Sequence, residues 1–86
     1  MSRYEFEATY NEGEPEFDGK YHVAFGFDRI LGYYFLTAWK EGNNNPHLPD
    51  IATQGGRDVI IESPFAEEIK GQYTNEYHLC MLDLPF

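Results

Sequence analysis

Lys20-Tyr21-His22-Val23-Ala24-Phe25-Gly26-Phe27, then Asp28-Arg29-Ile30-Leu31-Gly32, then Tyr33-Tyr34-Phe35-Leu36-Thr37-Ala38-Trp39-Lys40 is the stretch that decides the fold. The two outer runs are rich in aromatic and β-branched residues, which suit a pleated, half-buried surface. The five residues between them end in a glycine that can take positive φ. An antiparallel hairpin follows. Strand alternation puts Tyr21, Val23, Phe25 and Phe27 on one face, and His22, Ala24 and Gly26 on the other. The small residues of that second face predict a close approach from above. The second run is apolar on both sides, with Tyr33, Phe35, Thr37 and Trp39 opposite Tyr34, Leu36 and Ala38. Such a strand belongs inside a sheet that is covered on both faces or meets a partner on one. Asp28 is placed to cap the backbone N–H groups of the turn, and Arg29 to pair with it or with a nearby acid.

Upstream, Arg3 to Tyr10 alternates Tyr4, Phe6, Ala8 and Tyr10 with Glu5, Glu7 and Thr9, the pattern of a strand with an apolar and an acidic face. Asn11 to Gly19 follows as a polar loop broken by Gly13 and Pro15, with Phe17 as its one large apolar anchor. Downstream, Glu41 to Pro49 reads as a loop, and Gln54-Gly55-Gly56-Arg57 as a flexible stretch. Val59-Ile60-Ile61, within Asp58 to Glu62, predicts a short strand. Ser63 as N-cap and Pro64 at the first helical position predict a short helix over 64–71, closed by Gly71. Glu76 to Leu84 alternates Tyr77, Leu79 and Met81 with His78, Cys80 and Leu82, and reads as a last strand, although a helical period also partly fits. The expected architecture is one α+β domain over residues 1–86: a small antiparallel sheet of about four strands with one short helix.

Seven Tyr, seven Phe and one Trp argue for a folded domain despite a net charge of −9, because disordered acidic chains are poor in aromatics. Cys80 is the single cysteine, so an internal disulfide and a multi-thiolate zinc site are both excluded. Its apolar setting predicts a buried thiol of raised pKa, unreactive even with His78 two residues away. His22, His47 and His78 show no ligand spacing, and only His22 and His78 on neighbouring strands offer even the start of a metal site. Ser63 is taken up in capping. Gln54-Gly55-Gly56-Arg57 lacks the lysine and hydroxyl of a phosphate-binding loop. The expectation is a protein that is not an enzyme and carries no metal and no cofactor. No signal-peptide core or membrane-length apolar run occurs, so a cytoplasmic protein is expected, with no membrane contact. The negative charge disfavours direct binding to nucleic acid.

The charge is unevenly placed. Glu5, Glu7, Glu12, Glu14, Glu16 and Asp18 face one base, Arg3, in the first eighteen residues, so −5 of the −9 is concentrated there. Carboxylates on one strand face repeat at about 6.6–6.8 Å and imitate a phosphate backbone. These six acids are the candidate partner-binding residues, with Tyr34 and Trp39 as candidate aromatic anchors, since Tyr and Trp are enriched at interfaces. Glu5 and Glu7 sit on a strand that holds a register. Glu12 to Asp18 sit on a loop that steers a partner without holding one. The partner this predicts is a basic nucleic-acid-binding protein or complex.

The stretch Tyr21 to Phe35, an apolar strand, Gly26-Phe27-Asp28-Arg29, Leu31-Gly32 and an aromatic strand, resembles a group of short bacterial proteins found on plasmids and phages. Small acidic anti-CRISPR proteins come from the same elements. The resemblance covers about a fifth of the chain and implies a mobile-element setting without transferring any functional residue. Together with the acidic run it leads to an expected function: an acidic inhibitor that mimics a phosphate backbone, of anti-CRISPR type. The alternatives are an antitoxin or immunity-like protein that neutralises a basic toxin through an aromatic and acidic face, and a small enzyme with a cryptic carboxylate pair.

Overall fold

The computed structural model describes residues 2–86. Four strands form one antiparallel sheet in the order β1-β2-β3-β4: β1 Tyr4–Tyr10, β2 Gly19–Asp28, β3 Tyr33–Lys40 and β4 Ile51–Gly55. Three short helices follow, α1 Asp58–Ile61, α2 Ala66–Gln72 and α3 Thr74–Met81. The protein is thus a small α+β fold. No helix among the described residues is long and apolar enough to cross a membrane.

The central hairpin forms as its sequence dictates. Gly32 takes φ 73°, and Asp28 Oδ1 accepts the N–H of Ile30 at 3.0 Å and of Leu31 at 3.2 Å. Arg29 is exposed and makes no ion pair among the described residues. One face of the sheet carries Phe6, Ala8, Tyr21, Val23, Phe25, Tyr34, Leu36 and Ala38, and the helices close it with Ile60, Phe65, Ile69 and Cys80. Tyr4, Phe25, Tyr73 and Phe86 meet there with ring centroids 5.3–6.0 Å apart, in stacked, tilted and edge-on pairs. Residues at the far C-terminus thereby pack on the first strand.

Several expectations change. The Val59-Ile60-Ile61 run is helical, as α1: this single turn drops Ile60 into the core at full burial, and that packing overrides β-propensity. The C-terminal segment is α3 and no strand. Its alternation is an ambiguous pattern that resolves as helix, with Cys80 turned inward. The fourth strand is Ile51–Gly55, in a region where the sequence shows no β signal. Ala52, Thr53 and Gln54 are exposed there, so the ladder to β3 makes the strand and apolar burial does not. There are three helices where one was expected. That one begins at Ala66, and Ser63 Oγ donates to the Ile60 carbonyl at 2.8 Å instead of capping it. Gly71 lies inside α2 and does not end it.

Candidate interaction surface

The second face of the sheet has no helix over it. Its cross-strand rows follow from the register: Glu7–His22–Trp39, then Glu5–Ala24–Thr37–Ala52, then Gly26–Phe35–Gln54. Opposed residues on one face of an antiparallel pair have Cβ atoms close enough to interact. His22 exploits this. Its Nδ1 lies 2.7 Å from Glu7 Oε1 and its Nε2 lies 2.6 Å from Glu5 Oε1. With both nitrogens facing carboxylates the ring serves as a double donor, the imidazolium form. Hydrogen bonds to Glu5 first and Glu7 second hold the His22 pKa above its usual 6.5, against the opposing effect of desolvation. The bond from His22 is likewise the main cause that holds Glu5 below 4.5, helped by Arg3. Arg3 Nε sits 3.4 Å from Glu5 Oε2, and the Arg3 guanidinium lies 6.0 Å from the centre of the Trp39 ring.

Trp39 is placed by the loop that follows its strand. Its Nε1–H donates to the Pro46 carbonyl at 3.1 Å. That loop is itself tied down by Asp50, whose Oδ2 accepts the Lys40 N–H at 2.7 Å and the Asn43 side-chain amide at 3.0 Å. Arg3, Glu5, His22, Trp39, Asn43 and Pro46 line a shallow open groove.

The close approach expected over the small face of β2 is made by the N-terminus. Ser2 N–H donates to the Phe27 carbonyl at 3.1 Å, and the Phe27 N–H donates back to Ser2 Oγ at 3.0 Å. The Ser2 carbonyl then lies where a Gly26 Cβ would be, at 2.0 Å.

The acidic loop is better held than its glycine and proline imply. Asp18 Oδ1 accepts the Glu12 N–H at 3.1 Å, and the Glu14 carbonyl accepts the N–H of Phe17 at 2.9 Å and of Asp18 at 2.8 Å. The Tyr21 hydroxyl donates to the Phe17 carbonyl at 2.6 Å, and Lys40 Nζ to the Glu16 carbonyl at 3.2 Å. The loop's course is therefore set partly by Asp18 and Glu14 within it and partly by Tyr21 and Lys40 from other strands. Glu12, Glu14 and Glu16 are exposed, while Asp18 is half-buried and engaged. Their convergence is felt at Tyr10, whose hydroxyl pKa is raised by desolvation first and then by Glu14, Glu12 and Asp18.

The structure separates the candidate residues. Glu5, Glu7 and Trp39 share the open face, and Glu12, Glu14, Glu16 and Asp18 share the loop at its end. Tyr34 belongs to neither. It is 3 % exposed on the helix-covered face, against Phe27 and Phe86, with its hydroxyl 3.4 Å from Asp83 Oδ1. Its role as a surface anchor is withdrawn, because strand alternation sends it to the side opposite Trp39. Sequence reasoning passed over Arg3 and His22 as members of the site. The signal was present: pairing β1 with β2 puts His22 opposite Glu7.

His22 and His78 cannot share a metal, since His22 lies on the open face and His78 on α3 across the sheet; no cluster of three metal-binding side chains occurs among the described residues. Cys80 is buried, its Sγ 3.7 Å from the Arg57 carbonyl, and burial pushes its thiol pKa up to about 11. No protein-family model, curated protein or solved structure matches this chain.

Proposed function

We propose that this protein is a non-enzymatic inhibitor that occupies a basic, nucleic-acid-binding surface of a partner, presenting carboxylates where phosphates would lie. The observation that carries the reading is the placement of Glu7, Glu12, Glu14 and Glu16. All four are exposed, Glu7 on β1 and the other three on the hydrogen-bonded loop that follows it. A row of fixed charge attracts a lysine- and arginine-lined groove at long range and displaces its counterions on contact. Asp18 holds the loop, and Glu5 and Glu7 both hold His22, but Glu7 is the more exposed of the two at 73 % against 47 %, so Glu7 joins the three loop acids in the mimicking row. The setting is a bacterial cytoplasm containing a mobile element, and the fitting partner is a nucleic-acid-handling complex of the CRISPR-effector kind.

The test is charge reversal at Glu7, Glu12, Glu14 and Glu16 to Lys, with binding to the partner recovered from the native host measured across a salt series. Binding that falls steeply with salt, and is lost in the reversed protein while its circular dichroism is unchanged, supports the reading. Full binding by the reversed protein overturns it.

A second reading, an antitoxin-like partner, rests on the uncovered face around Trp39, Phe35 and Tyr33, which are half-buried with no helix above them. Here Trp39→Ala weakens binding more than charge reversal does, and salt matters little.

A further inference from the structure

The order β1-β2-β3-β4 leaves two sheet edges, and they are built differently. An edge strand exposes a row of unpaired N–H and C=O groups that can template another strand, and proteins guard such edges with charges, prolines or a covering group. The β1 edge is guarded. It carries Glu5 and Glu7, Arg3 precedes it, and the Tyr73 hydroxyl donates to the Glu5 carbonyl at 2.7 Å. The β4 edge has none of these. Ile51-Ala52-Thr53-Gln54-Gly55 contains no charge and no proline, and its three central residues are exposed.

We infer that β4 is a self-association edge, at which two copies pair antiparallel to give one continuous eight-stranded sheet. A second copy fits for two reasons. Antiparallel pairing about Thr53 is a two-fold arrangement in which all five residues of each strand overlap: Ile51 opposite Gly55, Ala52 opposite Gln54, Thr53 opposite Thr53. The charge distribution also permits it. Glu5 and Glu7, the two strand-borne acids, lie on β1 at the far edge of each sheet. Seven strand spacings of about 4.8 Å place the two acidic edges ~34 Å apart. That separation is several times the Debye length of about 8 Å at physiological salt, so Glu5 and Glu7 do not oppose this particular contact. The interface is one strand pair on each side and therefore small, so the dimer is weak and concentration-dependent. It leaves both acidic edges free at the outer ends.

Sedimentation equilibrium on the whole chain without any partner tests this separately from the inhibitor reading. The weight-average mass should climb from 10.0 kDa toward twice that as concentration rises to ~1 mM. Thr53→Pro should hold it at the monomer value, and Ala52→Lys with Gln54→Lys should do the same if the proline variant fails to fold. Under mild oxidation Thr53→Cys should give a disulfide-linked dimer while the wild-type protein, whose Cys80 is buried, gives none. A wild-type protein that stays monomeric at ~1 mM, or one whose association survives both β4 variants, overturns the inference. In the first case the edge is left to a strand from another protein.

Discussion

The imidazole of His22 and the carboxylate of Glu5 meet at 2.6 Å on the open face of the sheet, two strands joined through side chains as well as backbone. The contact shifts the two groups in opposite directions, Glu5 down and His22 up. Each shift contributes to stability over its own pH window.

For His22 the folded pKa exceeds the unfolded value of 6.5, so its contribution is fully present below 6.5 and is lost as pH rises through the folded value. For Glu5 the folded pKa lies under 4.5, so its contribution is present above 4.5 and is lost as pH falls through the folded value. The pair should therefore stabilise most between pH 4.5 and 6.5. The side chains are 41 % and 47 % exposed, and solvent screening keeps the effect small. Urea denaturation of the wild type and of His22→Ala should show their difference greatest in that window. An NMR titration should find that Glu5→Gln lowers the His22 pKa more than Glu7→Gln does.

Gly26→Ala should destabilise the fold by about 1–3 kcal/mol, the usual range for an intruding methyl. The new Cβ would sit 2.0 Å from the Ser2 carbonyl oxygen and 2.9 Å from Phe35 Cζ, so the N-terminal segment must lift and give up its bonds to Phe27. Deleting residues 1–3 should recover part of the loss in thermal denaturation, since the Ser2 clash then disappears. No recovery would place the strain at Phe35.

Tyr34→Ala should cost about 3–5 kcal/mol, as expected for emptying a large aromatic site in a core. Trp39→Ala on the open face should cost clearly less. Chemical denaturation separates the two. The Tyr34 hydroxyl, its pKa raised by burial to about 12, should also be missing from a spectrophotometric tyrosine titration until strongly alkaline pH.

Cys80 should resist a thiol reagent at pH 8 in the folded protein and react at once in denaturant. Burial raises its pKa to about 11, leaving almost no thiolate and no access. Fast labelling of the native protein would show that α3 opens readily.

Tyr21→Phe should loosen the acidic loop without unfolding the sheet. The lost hydroxyl is the donor to the Phe17 carbonyl, worth about 1 kcal/mol. Amide hydrogen exchange should accelerate at Phe17 and Asp18, whose N–H groups bond to Glu14. Protection should persist in β2.

Three strands and the central turn were legible because their signals are local. Alternation along β1 and β2, aromatic density in β3, and Asp28 with Gly32 in the turn each act over a few residues. The fourth strand carries no such signal: Ala52, Thr53 and Gln54 bury nothing, and the strand exists because β3 offers hydrogen bonds. Val59-Ile60-Ile61 misled for the converse reason, since a β-branched run forms one helical turn when Ile60 has a core to fill. The loop from Asn11 to Asp18 could be judged only in part from within, because two of the groups that order it, Tyr21 and Lys40, come from other segments.

The acidic edge shows the same division. The sequence by itself determined that six carboxylates gather in the first eighteen residues and that Glu5 and Glu7 share a strand face, because charge and strand period are local properties. Only the tertiary structure decided which of them are free. Pairing β1 with β2 brought His22 between Glu5 and Glu7, the fold of the N-terminus set Arg3 beside Glu5 and over Trp39, and alternation on β3 buried Tyr34. These outcomes depend on which strands are neighbours and in what register, and neighbourhood in a sheet is set by the packing of the whole chain.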